Sequence, residues 1–347
     1  MAFSKETLDR PEAKNPAALE RIGLAKVRIQ NILDREIVST IRTLEKKISD
    51  QGPTPQRVDP HLITIALRDL QALNRLRVLK HPSTEPDWYT NPGTPEETYQ
   101  PRLEELAASY AAITDRNMRN LIGDALEIIV QKCLEEVESA SARFSFVGHF
   151  DFERGKNEYG RYKKTEPTNT IRERKTRKVA DFLQYGHENG ILCIECKNYR
   201  EWIYPTNSAI DNLIIKSYEM GITPVLIARK LHYTTKTNFL EPAGIIAHET
   251  LHQYYPPECT DLADQVRHKR MLGFTDILAT ETPEARTVKF FSHDLPEIAP
   301  VMSSRWNRHK DDLYRYAKGE INLAQLYTQI GSPAGGKWQE PEDRGAY

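Results

Sequence analysis

The stretch Val179–Asn198, which reads VADFLQYGHENGILCIECKN, constrains the fold of this chain more than any other. Two apolar runs flank the segment GHENG at 186–190. Gly and Asn tolerate the positive φ angles that a tight reversal requires, so this segment predicts a turn. We therefore predict a β-hairpin with strands at 179–185 and 191–198.

The predicted hairpin places two carboxylates opposite each other. If the turn centres on position 188, the numbers of cross-strand partners sum to 376, which pairs Asp181 with Glu195 and Leu183 with Cys193. Because strand side chains alternate between faces, Lys197 lies on the same face as Glu195. Two facing acids repel each other, and a cation between them removes that penalty. The pattern therefore predicts a divalent-metal site with a lysine beside it.

These residues resemble the signature of the PD-(D/E)xK nuclease superfamily, whose fold is called restriction-endonuclease-like. The family pattern is an Asp at the start of one strand and Glu-x-Lys on the next, matched here by Asp181 and by Glu195-Cys196-Lys197. Ala180 stands where the family usually has Pro, a common variation. The resemblance spans residues 120–250 and implies an α/β (α+β) fold with a mixed central sheet flanked by helices.

The resemblance also implies roles for the site residues. Asp181, Glu195 and the backbone carbonyl of Cys196 would bind Mg²⁺ or Mn²⁺, since hard cations favour oxygen ligands. Lys197 would orient or deprotonate the attacking water, helped by a phosphate oxygen. The other interpretation of Lys197 is simple ion pairing with Glu195.

A long helical stretch at 102–139 precedes the hairpin, and we expect two helices that meet near Asp115. Glu127 is the one acid in the apolar run 125–130. In the resembling family the first core helix often gives a Glu to the metal site in a Gly-x-x-x-Glu context, which Gly123 and Glu127 match. We therefore expect Glu127 in the metal shell; a solvated place on the helix edge is the alternative.

Residues 154–178 hold ten Lys or Arg against three Glu, a local excess of +7. This run leads directly into the acidic site, and a polyanionic substrate needs cations nearby. We expect its last part to contact the nucleic-acid backbone, although a solvated loop is the alternative. The residues assigned to this contact are Arg172, Arg174, Lys175, Arg177 and Lys178.

Further segments complete the predicted core. Apolar patterns predict strands at 143–152, 223–228 and 243–247, and a helix at 207–220 that ends at Gly221. Together with the hairpin they give the order α-β-β-β-α-β-β. Lys216, within that helix, is not assigned to the site. Later segments predict helices at 262–271 and 305–316, an extended stretch at 287–291 and a flexible tail at 332–347.

The N-terminal third predicts a separate domain over residues 1–92. A helix at 21–50 is followed by the break Gly52–Pro55, and a second helix begins at Asp59-Pro60. A short strand at 74–80, a loop and an aromatic strand at 88–89 come next.

This order, over residues 30–92, resembles a winged helix, a module that binds DNA or contacts proteins. The second helix carries a single Arg, Arg68, so both roles stay open. Three prolines and a glycine at 91–101 predict a linker at 93–101. The nuclease domain with its C-terminal additions would occupy 102–331.

Composition excludes several classes of protein. A content of 39% hydrophobic and 28% charged residues is typical of a globular chain, and no apolar run reaches the length of about 20 residues that spans a membrane. Four cysteines in 347 residues do not indicate a disulfide framework, which favours a cytoplasmic location. A net charge of −1 gives no argument for nucleic-acid binding, so that argument rests on the basic run alone.

Two other motifs compete with this interpretation. The sequence His248-Glu249-Thr250-Leu251-His252 fits the HExxH pattern of zinc proteases, which needs a helix and a third ligand, with His268 and Glu258 as candidates. Prolines on both sides and an equally good strand pattern argue against that helix. Cys193 and Cys196 form a CxxC, but residues three apart in a strand point to opposite faces and cannot chelate together.

The sequence therefore predicts a metal-dependent endonuclease that hydrolyses phosphodiester bonds in DNA, with Mg²⁺ or Mn²⁺ as cofactor. RNA as the substrate stays open, and so does a homodimer whose two sites cut both strands. A restriction or phage-defence setting is implied by the resemblance. The alternatives are a degenerate nuclease fold that binds DNA or acts as a scaffold, and a zinc protease.

Overall fold

The computed structural model describes residues 2–49, 57–140, 144–187 and 190–332. The helices in these ranges are α1 (Lys5–Leu8), α2 (Pro16–Glu36), α3 (Ile41–Ser49), α4 (Pro60–Ala72), α5 (Glu96–Thr114), α6 (Arg116–Ala140), α7 (Ser208–Met220), α8 (Glu241–Ala243), α9 (Thr260–Arg267), α10 (Ala285–Lys289), α11 (Leu295–Ala317) and α12 (Leu323–Gln329). The predicted break at Gly52–Pro55 and the tail from 333 onward lie outside the described residues.

The described residues also form short β-strands. They are β1 (Ser39–Thr40), β2 (Arg77–Leu79), β3 (Trp88–Thr90), β4 (Ser145–Val147), β5 (His149–Lys156), β6 (Tyr162–Thr165), β7 (Thr170–Ile171), β8 (Arg174–Lys175), β9 (Phe182–His187), β10 (Gly190–Lys197), β11 (Thr223–Ala228), β12 (Ile246–Glu249), β13 (Gln253–Tyr255) and β14 (Ile277–Ala279). Helices outweigh strands, and the fold is of mixed α/β type, as the sequence predicts at this level.

The chain divides into two compact units, which are described separately. Among the described residues, one unit contains residues up to Met118 and Cys259–Ile277, and the other contains Arg119–Glu258 and 278–332. Among the described residues, no helix combines the length and the apolar content needed to cross a membrane.

The second unit is built on a five-stranded mixed sheet in the order β12-β11-β10-β9-β4. The pairs β10–β11 and β11–β12 are parallel, while β9 pairs with β10 and β4 with β9 in antiparallel fashion. All six residues of β11 are buried, which explains its unbroken apolar sequence TPVLIA. A parallel pair needs a crossover, and α7 supplies it between β10 and β11.

Helices cover both faces of this sheet. On one face α7 packs with the later part of α11 and with α12, around side chains such as Leu183 and Cys193. On the other face α6 packs with the start of α11, around Phe182 and Cys196. The two cysteines thus lie on opposite faces of β10, as the alternation of side chains predicts.

The hairpin has the predicted register. Leu183 pairs with Cys193 and Phe182 with Ile194, and the ladder slips by one position near Gly190. The strands are Phe182–His187 and Gly190–Lys197, so β9 begins three residues later than predicted. Asp181 therefore lies just outside the ladder, which does not include the predicted pairing of Asp181 with Glu195.

The first unit contains α2, β1, α3, α4, β2 and β3 in that order, with a small sheet in the order β1-β3-β2. The single helix predicted at 21–50 is two helices, because the chain turns at Ile37, whose φ is +73°, and pairs Ser39 with Tyr89. The ion pair of Lys26 with Asp69, fully buried, links α2 to α4.

Several local predictions are wrong. Residues 96–101 are helical rather than a linker, since Pro101 sits close enough to the start of α5 for the helix to accommodate it. Residues 287–291 belong to α10 and the following π-helical turn, because Phe290 and Phe291 point into one core from adjacent positions. The basic run at 154–178 forms two hairpins, β5–β6 and β7–β8, rather than a loop.

Candidate active site

The site lies at the carboxyl end of β10, the central strand of the five-stranded sheet. Asp181 precedes β9 and accepts a hydrogen bond at its Oδ2 from the backbone N–H of Cys196, at 2.6 Å. In a strand the N–H and C=O of one residue point toward the same side, so the carbonyl of Cys196 also points toward Asp181. The structure thus brings together the Asp, the Glu-x-Lys strand and the carbonyl that the sequence singles out.

Glu195 is 5% exposed and lies between two lysines. The Nζ of Lys197 is 2.6 Å from Oε1 of Glu195, and the Nζ of Lys216 bonds to Oε2. Lys197 comes from the same strand, two residues on, whereas Lys216 comes from α7. Each carboxylate oxygen of Glu195 is therefore hydrogen-bonded to an ammonium group.

Glu127 approaches from α6 and pairs with a lysine of the basic run. The Nζ of Lys164, on β6, is 2.7 Å from Oε2 of Glu127 and lies 4.8 Å from the centre of the Phe182 ring. Glu127 is therefore not a solvated helix-edge residue. Gly123 has open space around its Cβ position, so no close approach requires glycine there.

The charges of these residues act on one another. Burial and the neighbouring carboxylate of Glu195 raise the pKa of Asp181. Burial and the charge of Asp181 raise the pKa of Glu127 to about 8. Burial acts in the same direction on Glu195, but Lys197 and Lys216 outweigh it and lower the pKa of that carboxyl. The three carboxyls thus form one electrostatic cluster.

Lys197 remains an ammonium group in this cluster. Burial by itself lowers the pKa of Lys197, but the carboxylates of Asp181 and Glu195 raise it above the ordinary value for lysine. The sequence predicts that Lys197 orients or deprotonates the attacking water, and an ammonium group can do the first but not the second. A role as a charged hydrogen-bond donor is therefore the more natural one.

The ligand chemistry fits a hard divalent cation. Asp181, Glu195 and the carbonyl of Cys196 are oxygen donors, which Mg²⁺ and Mn²⁺ prefer. The carboxylate oxygens of Glu127, Asp181 and Glu195 do not all lie within 4.8 Å of one another. These three acids therefore do not form a compact cluster of three carboxylates.

A glycine fixes the backbone beside Asp181. Gly148 separates β4 from β5 with a φ of +109°, a conformation that side chains disfavour. A Cβ built on Gly148 would lie 2.6 Å from the carbonyl oxygen of Asp181 and 3.0 Å from the ring of Phe182. The single strand predicted at 143–152 is interrupted here, which lets β4 join the central sheet while β5 pairs with β6.

The basic run divides into inward-facing and outward-facing parts. Its earlier cations bind acids, as Arg161 does in pairing with Asp124 through two bonds of 2.6 and 2.8 Å. The residues assigned to the nucleic-acid backbone are all exposed: Arg172, Arg174, Lys175, Arg177 and Lys178. Arg172 and Glu173 form the β7–β8 turn with φ angles of +45° and +71°, which side chains adopt at a cost of about 1 kcal/mol each.

The HExxH residues do not lie on a helix. His248 and Glu249 end β12, where Glu249 accepts a hydrogen bond from the backbone N–H of Leu231 at 3.0 Å. His248 is buried and stacks on Phe290 with ring centres 4.3 Å apart, while His252 bonds to Glu284 at 2.6 Å. The helical pair of imidazoles that a zinc protease requires is therefore not formed by these residues.

Three residues that complete the site were not assigned to it from the sequence: Lys164, Lys216 and Asn198. Asn198 follows Lys197 and its side-chain amide donates to the carbonyls of Ile122 and Tyr254 at 2.6 and 2.7 Å. It thereby fastens the end of β10. Lys216 carried a signal, since it lies one helical step after Leu213 on the apolar face of α7.

Comparisons with known proteins add no relative. No protein-family model matches the chain, and no curated protein or solved structure is significantly similar to it.

Proposed function

We propose that this protein is a metal-dependent nuclease that hydrolyses phosphodiester bonds in DNA. The observation that carries the proposal is the meeting of Asp181, Glu195 and Lys197 at one end of β10, with Asp181 bound to the strand through the N–H of Cys196. The order of elements from α6 through β4, β9, β10, α7, β11 and β12 supports it. That order is the one implied by the resemblance to restriction-endonuclease-like proteins.

The site residues have different roles in the proposed hydrolysis. Asp181, Glu195 and the carbonyl of Cys196 would hold Mg²⁺ or Mn²⁺, which when bound lowers the pKa of water and neutralises charge at phosphorus. Lys197, as an ammonium group, donates hydrogen bonds to the attacking water and to a phosphate oxygen. Lys164 pairs with Glu127 beside Asp181 and adds a positive charge that offsets the repulsion between these carboxyl groups and the substrate.

The exposed cations of the β7–β8 hairpin and of the segment that follows it supply the contact to the nucleic-acid backbone. Arg177 and Lys178 stand four and three residues before Asp181, so a phosphate bound to them is close in sequence to the reacting group. The two residues of the turn hold positive φ angles, as a two-residue hairpin turn of type I′ requires. We propose that this hairpin positions the strand that is cut.

The first unit follows the element order of a winged helix, and we propose that it contacts a protein rather than DNA. Most of α4, the helix that would enter the major groove, is buried, and Arg68 is its one Arg or Lys. Between β2 and β3, Lys80 pairs with Asp87 and His81 with Glu104, which leaves little net positive charge for phosphates. This arrangement favours the protein-binding use of the module.

A cleavage assay tests the nuclease proposal. The full chain is incubated with supercoiled, linear and single-stranded DNA and with RNA, each with Mg²⁺, with Mn²⁺ and with a chelator. Cleavage of DNA that requires the cation supports the proposal. Binding of DNA without cleavage, together with no uptake of either cation in a titration, would favour the degenerate binding protein instead. Cation-dependent cleavage of RNA alone would correct the substrate class.

A further inference from the structure

Lys216 is a buried lysine to which the proposed nuclease chemistry assigns no role. It is 3% exposed and lies on α7 among Leu213, Ile214 and Ser217, which are also buried. Its Nζ bonds to the carboxylate of Glu195 and donates to the carbonyl of Val179 at 2.8 Å. One ammonium group therefore joins the helix, the metal-site strand and the segment that leads into Asp181.

A buried ammonium group is costly unless it is paired and hydrogen-bonded. An apolar residue would fill the same place on α7 at lower cost, because the face is otherwise apolar. The position is thus better explained by what Lys216 does to Glu195 and Val179 than by packing.

The lysines of the cluster at least balance its carboxylates in charge. Glu127, Asp181 and Glu195 contribute three negative charges when ionised, and each of the lysines 164, 197 and 216 contributes one positive charge. A divalent cation added to such a site brings two uncompensated positive charges. A phosphodiester brings one negative charge and offsets half of this excess.

We propose that Lys216 is a positioning residue that serves as a built-in counter-cation of Glu195, so that a divalent cation binds tightly only together with a phosphate. The inference rests on the proposed function and adds to it the order in which the site is filled. Binding free energies are reciprocal, so the nucleic acid must strengthen cation binding by the same factor as the cation strengthens nucleic-acid binding. Lys216 also holds Val179, two residues before Asp181, which keeps the two carboxylates in register.

The proposal predicts the sign of a substitution effect. Removing the positive charge next to Glu195 leaves that carboxylate less neutralised, so Lys216→Met should bind Mn²⁺ about tenfold more tightly in the absence of nucleic acid. A residue with only a structural role would show the opposite, because a loosened site loses ligands. The turnover of the variant should fall, since the segment at Val179 is released.

The experiment titrates Mn²⁺ into the full-length protein without nucleic acid and with a short DNA duplex, following free Mn²⁺ by electron paramagnetic resonance. Lys216→Met and Lys216→Gln remove the charge, and Lys216→Arg keeps it. Lys132→Met is the matched control, because Lys132 pairs with Glu281 on the same unit. Circular dichroism and thermal unfolding show which variants are folded, and Gln serves if Met does not fold.

The proposal is supported if Lys216→Met and Lys216→Gln bind Mn²⁺ more tightly than the wild type while Lys216→Arg and Lys132→Met do not. Added DNA should then increase the Mn²⁺ affinity of the two uncharged variants less than it increases that of the wild type. Equal or weaker Mn²⁺ binding by both uncharged variants overturns the proposal. Tight Mn²⁺ binding by the wild type that DNA does not improve also overturns it. The titration does not depend on cleavage, so an inactive wild type would refute the nuclease function while the effect of Lys216 on cation binding is still measured.

Discussion

Cys196 donates its backbone N–H to the Oδ2 of Asp181 at 2.6 Å, across the end of the β9–β10 ladder. This bond turns the carboxylate of Asp181 toward β10 although Asp181 itself stands outside the paired strand. The relationship between the two residues therefore defines the corner at which the proposed cation binds.

Asp181→Asn should lower cleavage by at least about a thousandfold, equivalent to about 4 kcal/mol of transition-state stabilisation. The amide can still accept the hydrogen bond from Cys196, so the fold should persist, but the negative charge is lost. Initial rates on supercoiled DNA with Mg²⁺ measure the effect. Asp151→Asn, an exposed Asp on β5, is the control and should cleave normally. Cleavage by Asp181→Asn at the wild-type rate would falsify the assignment.

Glu127→Gln should slow cleavage by about 10- to 100-fold, a smaller loss than for Asp181→Asn, because Glu127 supports the ligands from outside. The substitution also leaves Lys164 without its carboxylate, at 2.7 Å in the wild type. Rates measured as a function of Mg²⁺ concentration separate a loss of cation affinity from a loss of turnover. A loss as large as that of Asp181→Asn would instead make Glu127 a direct ligand.

Arg177→Ala should weaken DNA binding more at low salt than at high salt. Each phosphate contact that is lost reduces the slope of log affinity against log salt by about 0.9. Fluorescence anisotropy at several salt concentrations measures the slope, and Lys175→Ala should behave alike. Arg68→Ala, on α4, is the comparison and should leave the slope unchanged. A slope reduced by Arg68→Ala but not by Arg177→Ala or Lys175→Ala would move the DNA contact to the first unit.

His248 should make the protein less stable in acid. Burial, with some help from nearby Arg286 and Lys236, lowers the pKa of His248 to about 3, so the folded state keeps it neutral while the unfolded chain takes up a proton near pH 6.5. The stabilisation is therefore complete above about pH 6.5 and is lost as the pH falls toward 3. Between pH 7 and pH 5, protonation of His248 in the unfolded chain should lower the free energy of unfolding by about 2 kcal/mol.

Urea unfolding of the wild type and of His248→Gln at both pH values checks this expectation. The glutamine of the variant cannot take up the proton. From pH 7 to pH 5 the free energy of unfolding of the variant should therefore fall by about 2 kcal/mol less than that of the wild type. Equal losses in the two proteins would show that His248 is not the group responsible.

Lys26→Met should destabilise the first unit by about 3–5 kcal/mol, because the carboxylate of Asp69 would then be buried without its cation. Lys26 is 1% exposed and bonds to Asp69, which also accepts the backbone N–H of Ser4 at 2.6 Å. The double variant Lys26→Met with Asp69→Asn should recover part of the loss. Chemical unfolding of the three proteins measures it, and no recovery in the double variant would contradict the ion-pair explanation.

The hairpin was the part of the chain most readily predicted from sequence. Local turn chemistry and strand alternation determine its register, which is why Leu183 and Cys193 pair as expected. The helix α7 and its end at Gly221, where φ is +70°, follow from equally local signals. These features depend on residues that are close in the sequence, so the sequence alone is sufficient to predict them.

The partners of the acids could not be predicted in this way. Lys164 reaches Glu127 across 37 positions, and Lys216 reaches Glu195 across 21. Such contacts depend on which helix covers which face of the sheet, and periodicity gives the buried face of a helix but not its neighbour. The strand break at Gly148 was missed for a similar reason, because the alternating sequence on either side of it is compatible with one continuous strand.

Gly148 has a consequence for comparing this chain with others. Because the space beside the Asp181 carbonyl admits no Cβ, a homologue could keep every acid and every lysine of the site and still lose it through one added methyl group at this position. A search that scores charged residues alone would not detect this difference. The hydrogen atom that serves as the side chain of Gly148 is thus as diagnostic of a working site as any of the carboxylates.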